Sequence, residues 1–196
     1  TSLTVMDKWI LSRMNTMIKN TDEALDQYRI PDAGKALYSF VEDLSNWYVR
    51  RSRERFWASG LDDDKAAAYL TLYACLVNVA RATAPMTPFI AESIYLNLVC
   101  TSYEAAPVSV HLSDYPVYDS SMMDVELEKN MERVLDIVVL GRAARNAGNI
   151  KNRQPIAKMY VRLSAESTDK NAGKAVLDGF YVDIIKDELN IKEVVF

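Results

Sequence analysis

This chain of 196 residues has two cysteines, one histidine, six glycines and six prolines. Each scarcity argues against something. Cys75 and Cys100 are far apart and no Cys-x-x-Cys spacing exists, which argues against zinc ribbons and dithiol redox chemistry. Both thiols lie in or at the end of apolar helical runs, which suits a reducing, cytoplasmic setting. His111 sits in an extended, proline-flanked run and reads as a loop residue, so no nucleophile–base pair can be built. Gly-rich phosphate loops and His-x-x-His spacings are absent. Asp62, Asp63 and Asp64 lack metal-ligand spacing and read as a helix cap and solvated loop. There is no apolar run of about 18 residues and no signal peptide, so no membrane partner is expected. The chain as it stands is expected to catalyse nothing and to hold no metal or cofactor.

What is present is a core and two basic clusters. Apolar residues make up 49% of the chain, enough for one large domain or one and a half. The net charge is −4, so any nucleic-acid surface must come from local clusters. Residues 46–57 carry four arginines and one glutamate; Arg142, Arg145, Lys151 and Arg153 fall in a stretch with no acid. Acids gather instead at Asp62–Asp64, between Asp124 and Asp136, and in the last thirty residues. That segregation is what one RNA-facing side would produce, although random surface variation remains the alternative on composition alone.

Apolar spacing predicts a mainly α chain. Helices are expected over 4–28, from Pro31 to about 57, over 64–84, over 88–101 and over 121–147. Residues 102–121, with Pro107 and Pro116, read as an extended connection. Short connections favour an antiparallel helical bundle, here residues 1–150. Residues 151–196 change period. A strand over 157–163, a helix over 168–189 and a strand over 191–196 predict a small α/β strand–helix–strand appendage. A two-stranded sheet is marginal, so that unit reads as incomplete. The chain also begins in helical pattern without an initiator methionine, which reads as an excised piece.

On a wheel of about 100° per residue, Leu37, Phe40, Val41, Leu44, Trp47 and Tyr48 form the inner face of the second helix. The same face continues into Arg51 and Arg55. Arg50 and Arg53 point the other way, with Asn46 and Trp57. Two readings of Arg51 and Arg55 stay open: pairing with buried acids, or contact with a phosphate backbone. Arg50 and Arg53 are the better phosphate candidates, and Trp57 is a candidate stacking platform.

In the second cluster Arg142 and Arg145 share a helix face. Asn149, Lys151, Asn152, Arg153 and Gln154 form a polar turn between Gly148, expected to end the helix, and Pro155. Arginine and lysine contact phosphates, while Asn46, Asn149, Asn152 and Gln154 could read base edges. A basic turn complementing the helix dipole accounts for one or two of these charges, not four.

Five blocks then carry a resemblance. They are Asp7-Lys-Trp-Ile-Leu-Ser-Arg13, Asn46-Trp-Tyr-Val-Arg-Arg-Ser-Arg-Glu-Arg-Phe-Trp57, Ala84-Pro-Met-Thr-Pro-Phe-Ile-Ala-Glu-Ser-Ile-Tyr95, Ser109-Val-His-Leu-Ser-Asp-Tyr-Pro116 and Lys151-Asn-Arg-Gln-Pro155. In this order they resemble the anticodon-binding region of the class I isoleucyl-tRNA synthetases. The related valyl and leucyl enzymes look less similar in the second and fourth blocks. The resemblance implies a helical bundle that grips the anticodon stem-loop of tRNA(Ile), followed by a smaller unit. It also implies a longer cytoplasmic parent whose upstream catalytic and editing domains are partners of this region, with ATP and magnesium at the catalytic site. The His-Ile-Gly-His-like and Lys-Met-Ser-Lys-Ser-like signatures of that site are not in this sequence. The rival reading is a docking bundle whose arginines contact another domain.

Overall fold

The computed structural model describes residues 3–162, 177 and 179–196. Its contacts divide the chain into two compact units, Thr1–Val125 and Glu126–Phe196. The start of the helix expected at 168–189, and the end of the strand expected at 157–163, lie outside the described residues. No described helix is long and apolar enough to cross a membrane.

The first unit is built on helix α1, Val5–Asp26. Met6, Trp9, Ile10, Met14, Met17 and Ile18 are all buried, and so are the polar Asp7, Ser12 and Asn15. Burial on so many sides marks α1 as the central element, with α2 (Ile30–Asp43) and α4 (Asp63–Thr83) packed on it. Its end is a Schellman turn in which Arg29 N–H donates to Ala24 O at 2.8 Å, and Tyr28 takes the left-handed φ of 55°. Asp62 caps α4 by accepting from Lys65 N–H at 2.8 Å, as the sequence suggests. Pro88 opens α5, Pro88–Tyr95, but Thr87 makes no side-chain cap bond there.

Residues 101–124 form an extended connection, where one is expected over 102–121, interrupted by short 3-10 turns at Val110–Leu112 and Ser120–Met122. The buried polar groups of α1 hold it. Asn15 Oδ1 accepts from Asp119 N–H and Ser12 Oγ accepts from Asp124 N–H, both at 2.8 Å. Arg81 donates to Asp114 O at 2.6 Å, and Glu92 accepts from Val110 N–H at 2.8 Å.

The second expected helix is not one regular helix. After α2 a π turn spans Leu44–Val49, Ser52 lies in a turn, and α3 covers Arg53–Trp57. A π turn accommodates one extra residue and so advances the phase of everything after it. The buried positions run Ala33, Leu37, Phe40, Leu44, Tyr48 and Ser52. Hence Ser52, rather than Arg51, continues the inner face. Val41 is exposed and Trp47 half-buried, although a regular wheel places both inside.

That phase delivers Tyr48 to Asp7. The Asp7 carboxylate is fully buried and accepts from Tyr48 Oη at 2.6 Å. Arg55 grips it with both nitrogens, Nη1 to Oδ1 and Nη2 to Oδ2, each at 2.9 Å. The backbone N–H and hydroxyl of Thr4 complete the shell at 2.8 and 2.7 Å, as one half of a capping box. Burial alone would raise the Asp7 carboxyl. The bonds from Arg55, Tyr48 and Thr4 outweigh burial and hold it below the usual carboxylate value. Burial, with that carboxylate opposite, pushes the Tyr48 hydroxyl up, so it stays a donor.

The second unit contains all but the first residue of α6 (Val125–Ala147), then strand β1 (Ile156–Tyr160), α7 (Gly179–Leu189) and strand β2 (Ile191–Val195). The strands pair in parallel, with Ile156 opposite Ile191 and Tyr160 opposite Val195. Met131, Val134 and Val138 of α6 and Ile184, Ile185 and Leu189 of α7 are buried. A Cβ on Gly141 would collide with the Leu189 side chain, so the glycine permits that close approach. The division between units therefore falls at 125/126, where the sequence placed it after residue 150. The cause is that α6 is tied to the end of α7. α6 ends at Ala147, directly before Gly148 as expected, and Asn149 takes the left-handed φ of 53°.

Asp7 generates a pH prediction. An unfolded aspartate titrates near about 3.9, and the native carboxyl lies lower. The stabilisation is therefore complete at neutral pH and is lost as pH falls through about 4 toward the native value. Asp7→Asn should cost about 3 kcal/mol at pH 7, since it leaves the Arg55 charge without its main partner. In urea melts the gap between wild type and Asp7→Asn should narrow by about pH 3.

Candidate nucleic-acid interface

The first basic cluster separates into an outer ridge and an inner lock. Asn46, Arg50, Arg53 and Trp57 are all exposed, at spacings of four, three and four along the helical path. Arg50 Nε donates to Asn46 O at 2.8 Å, which holds its side chain along the ridge. Its guanidinium lies 5.6 Å from the Trp47 ring centroid, and that of Arg53 lies 5.3 Å from the Trp57 ring. Trp57 is 76% exposed. Cation–π pairing keeps these flat groups extended over one another in water. An arginine stacked on an exposed indole offers a charge for a phosphate and a π face for an unstacked base. Asn46 Nδ2 donates to Glu42 at 3.0 Å, which orients its amide on the same surface.

Arg55 does not belong to that ridge. Besides Asp7 it binds Asp64, with Nε to Oδ2 at 2.9 Å, and its side chain is 17% exposed. Of the two readings open for Arg55, pairing with a buried acid is the one this geometry shows. Arg51 is half-buried, because the π turn rotates it off the inner face without bringing it fully outward. Sequence reasoning missed Asp7 as the partner. Its only signal was Thr4-x-x-Asp7, which reads as a local helix cap.

The second cluster divides in the same way. Arg145 is buried, at 5% exposure, and its acceptors are backbone carbonyls. Nη1 donates to Leu189 O at 2.9 Å, while Nη2 faces the carbonyls of Lys151, Asn152 and Gln154. Arg145 is thus the centre on which the turn is wound, buried where the sequence reading places it at the surface. Arg142 pairs with the buried Glu188 at 2.6 Å while its side chain remains 45% exposed. Asn149 closes α6 in a second Schellman turn, with Ile150 N–H donating to Arg145 O at 2.9 Å. That geometry gives the asparagine a structural task. Lys151, Asn152, Arg153 and Gln154 are exposed.

The matches to known proteins fit this arrangement. A family model described as the anticodon-binding domain of tRNA ligase matches residues 7–161. The isoleucine–tRNA ligase of Clostridium kluyveri is 50% identical over 192 residues, covering 98% of this chain and 18% of that protein. That of Clostridium novyi is 50% identical over 98% of this chain and 17% of its own length. Isoleucine–tRNA ligase 2 of Bacillus cereus is 44% identical over 97% of this chain and 17% of its own length. The chain thus spans less than a fifth of the length of these relatives.

The inward and outward arginines should differ in stability measurements. Arg55→Ala leaves the Asp7 carboxylate buried without its fork and should cost about 3 kcal/mol. Arg145→Ala strands several carbonyls and should cost about 2 kcal/mol. Arg50→Ala, Arg53→Ala and Arg153→Ala should each stay within about 0.5 kcal/mol of wild type in denaturant titrations.

Proposed function

The chain belongs to the anticodon-binding domains of tRNA ligases, and from that premise we propose that it grips the anticodon arm of tRNA(Ile) within an isoleucine–tRNA ligase. That enzyme would join isoleucine to its tRNA at the expense of ATP, in the cytoplasm. The names of the relatives favour isoleucine over valine or leucine. The observation that carries the reading is the exposed ridge of Asn46, Arg50, Arg53 and Trp57, with its two arginine–tryptophan pairs. RNA loops are recognised by stacking of splayed bases beside cationic contacts to the backbone, and this ridge supplies both. Lys151, Asn152, Arg153 and Gln154 would add a second contact region.

In this reading the chain binds and orients, and the rest of the ligase performs the chemistry. Among the described residues no three His, Cys, Asp or Glu side chains converge to hold a metal ion. In this reading ATP and magnesium belong to other parts of the ligase.

Binding of the chain to a tRNA(Ile) transcript, measured by fluorescence anisotropy at several salt concentrations, tests the proposal. Arg50→Ala and Arg53→Ala should each weaken binding by about 1–3 kcal/mol and make the log–log salt slope shallower by about one. Trp57→Ala should weaken binding by a similar amount and leave the slope unchanged, since it removes stacking and not charge. Unaltered affinity in all three folded variants would reject the ridge as the RNA surface.

A further inference from the structure

The carbonyls that converge on Arg145 determine what the other side of the turn presents. In a trans peptide the C=O and the following N–H point in opposite directions. No cis peptide occurs here. The carbonyls of Lys151 and Asn152 point in at the guanidinium, so the amides of Asn152 and Arg153 point away from it. Among the described residues, neither amide donates a hydrogen bond to any group. The next carbonyl, that of Arg153, is held by Asn190 Nδ2 at 3.0 Å, and Asn190 O accepts from Ile156 N–H at 3.0 Å. The turn is therefore fixed from inside by one buried cation and from the side by one asparagine.

Two consecutive amides directed away from the guanidinium thus stand in a turn with the exposed side chains of Lys151 and Arg153, and successive turn amides of this kind attract anions. Successive N–H groups of this kind bind tetrahedral oxyanions, and lysine and arginine add charge-assisted bonds to the same oxygens. The inward carbonyls keep the negative ends of the peptide dipoles away from that surface.

We propose that residues 151–153 form a phosphate-binding site whose ligand is a phosphodiester of the RNA backbone, with Arg145 as the positioning residue that turns the amides outward. The choice of RNA rests on the reading under Proposed function, whereas the anion site stands on the turn itself. Arg145 touches no ligand. A lysine in its place would keep the charge but could not reach four carbonyls with one fixed fork, so positioning, unlike charge, should not survive that change.

The test is amide NMR of the whole 196-residue chain, titrated separately with inorganic phosphate and with an anticodon stem-loop RNA. Both probes should shift the Asn152 and Arg153 amides saturably, while Ile156, bonded within the sheet region, stays in place. Arg145→Lys should abolish both shifts while the Ile156 signal reports an intact unit. Should that variant fail to fold, Lys151→Gln with Arg153→Gln leaves the turn untouched and should weaken phosphate binding by roughly tenfold. RNA binding without movement of the two amides would overturn the site and leave the RNA reading standing. Phosphate shifts in a chain that binds no RNA would keep the amide site and overturn RNA as its ligand. Shifts that persist in Arg145→Lys would overturn the positioning role.

Discussion

A carboxylate buried without partners is among the most expensive features a fold can contain, and Asp7 is fully buried. Everything around it in the first unit is arranged to satisfy it. Thr4 caps α1 through it, Tyr48 reaches it from the π turn, and Arg55 clamps it from α3 while also holding Asp64 at the start of α4. One side chain thus ties α1 to the segment after α2 and to α4. The exposed ridge lies on that same segment, so its orientation is set by a bond it does not itself make. Arg53 and Trp57 stand on either side of Arg55 in a helix of five residues, too short to hold its place by backbone bonds alone.

The π turn at Leu44–Val49 is the second part of this constraint. A regular α-helix through this stretch would carry Arg51 onto the inner face. One extra residue in the turn brings Tyr48 to Asp7 and Ser52 to the inner face instead. The irregularity costs helical hydrogen-bond geometry, and the buried Tyr48–Asp7 bond at 2.6 Å is what it makes possible. Both basic clusters then follow one plan: an arginine turned inward fixes the backbone, and its neighbours face water. Arg55 does this with a carboxylate and Arg145 with carbonyls at the end of α7 and in the turn.

Much of this was legible from residue spacing. The helices follow apolar periodicity, Asp62 and Pro88 mark starts, and the two strands follow from the change of period after Pro155. The exposed set of Asn46, Arg50, Arg53 and Trp57 also emerges from a simple wheel. What escaped were features whose cause lies far along the chain. The π turn depends on Asp7, forty-one residues before Tyr48. Arg145 shares a face with Arg142 and looks equally external until Leu189 O is brought to it. Asn149 resembles a base reader, yet its left-handed backbone gives it a structural task. Asp7 offers only a local signal, because a capping box carries no sign that a distant arginine will share it.

The central claim is that inward arginines hold the frame while outward ones meet RNA. Guanidinium proton exchange, followed by NMR for each arginine in the free and RNA-bound chain, tests it most directly. The account predicts that Arg55 and Arg145 exchange slowly in the free chain and do not change when an anticodon stem-loop binds. It predicts that Arg53 and Arg153 exchange rapidly in the free chain and slow on binding. Slowing confined to Arg55 and Arg145, with Arg53 and Arg153 unaffected by bound RNA, would contradict it.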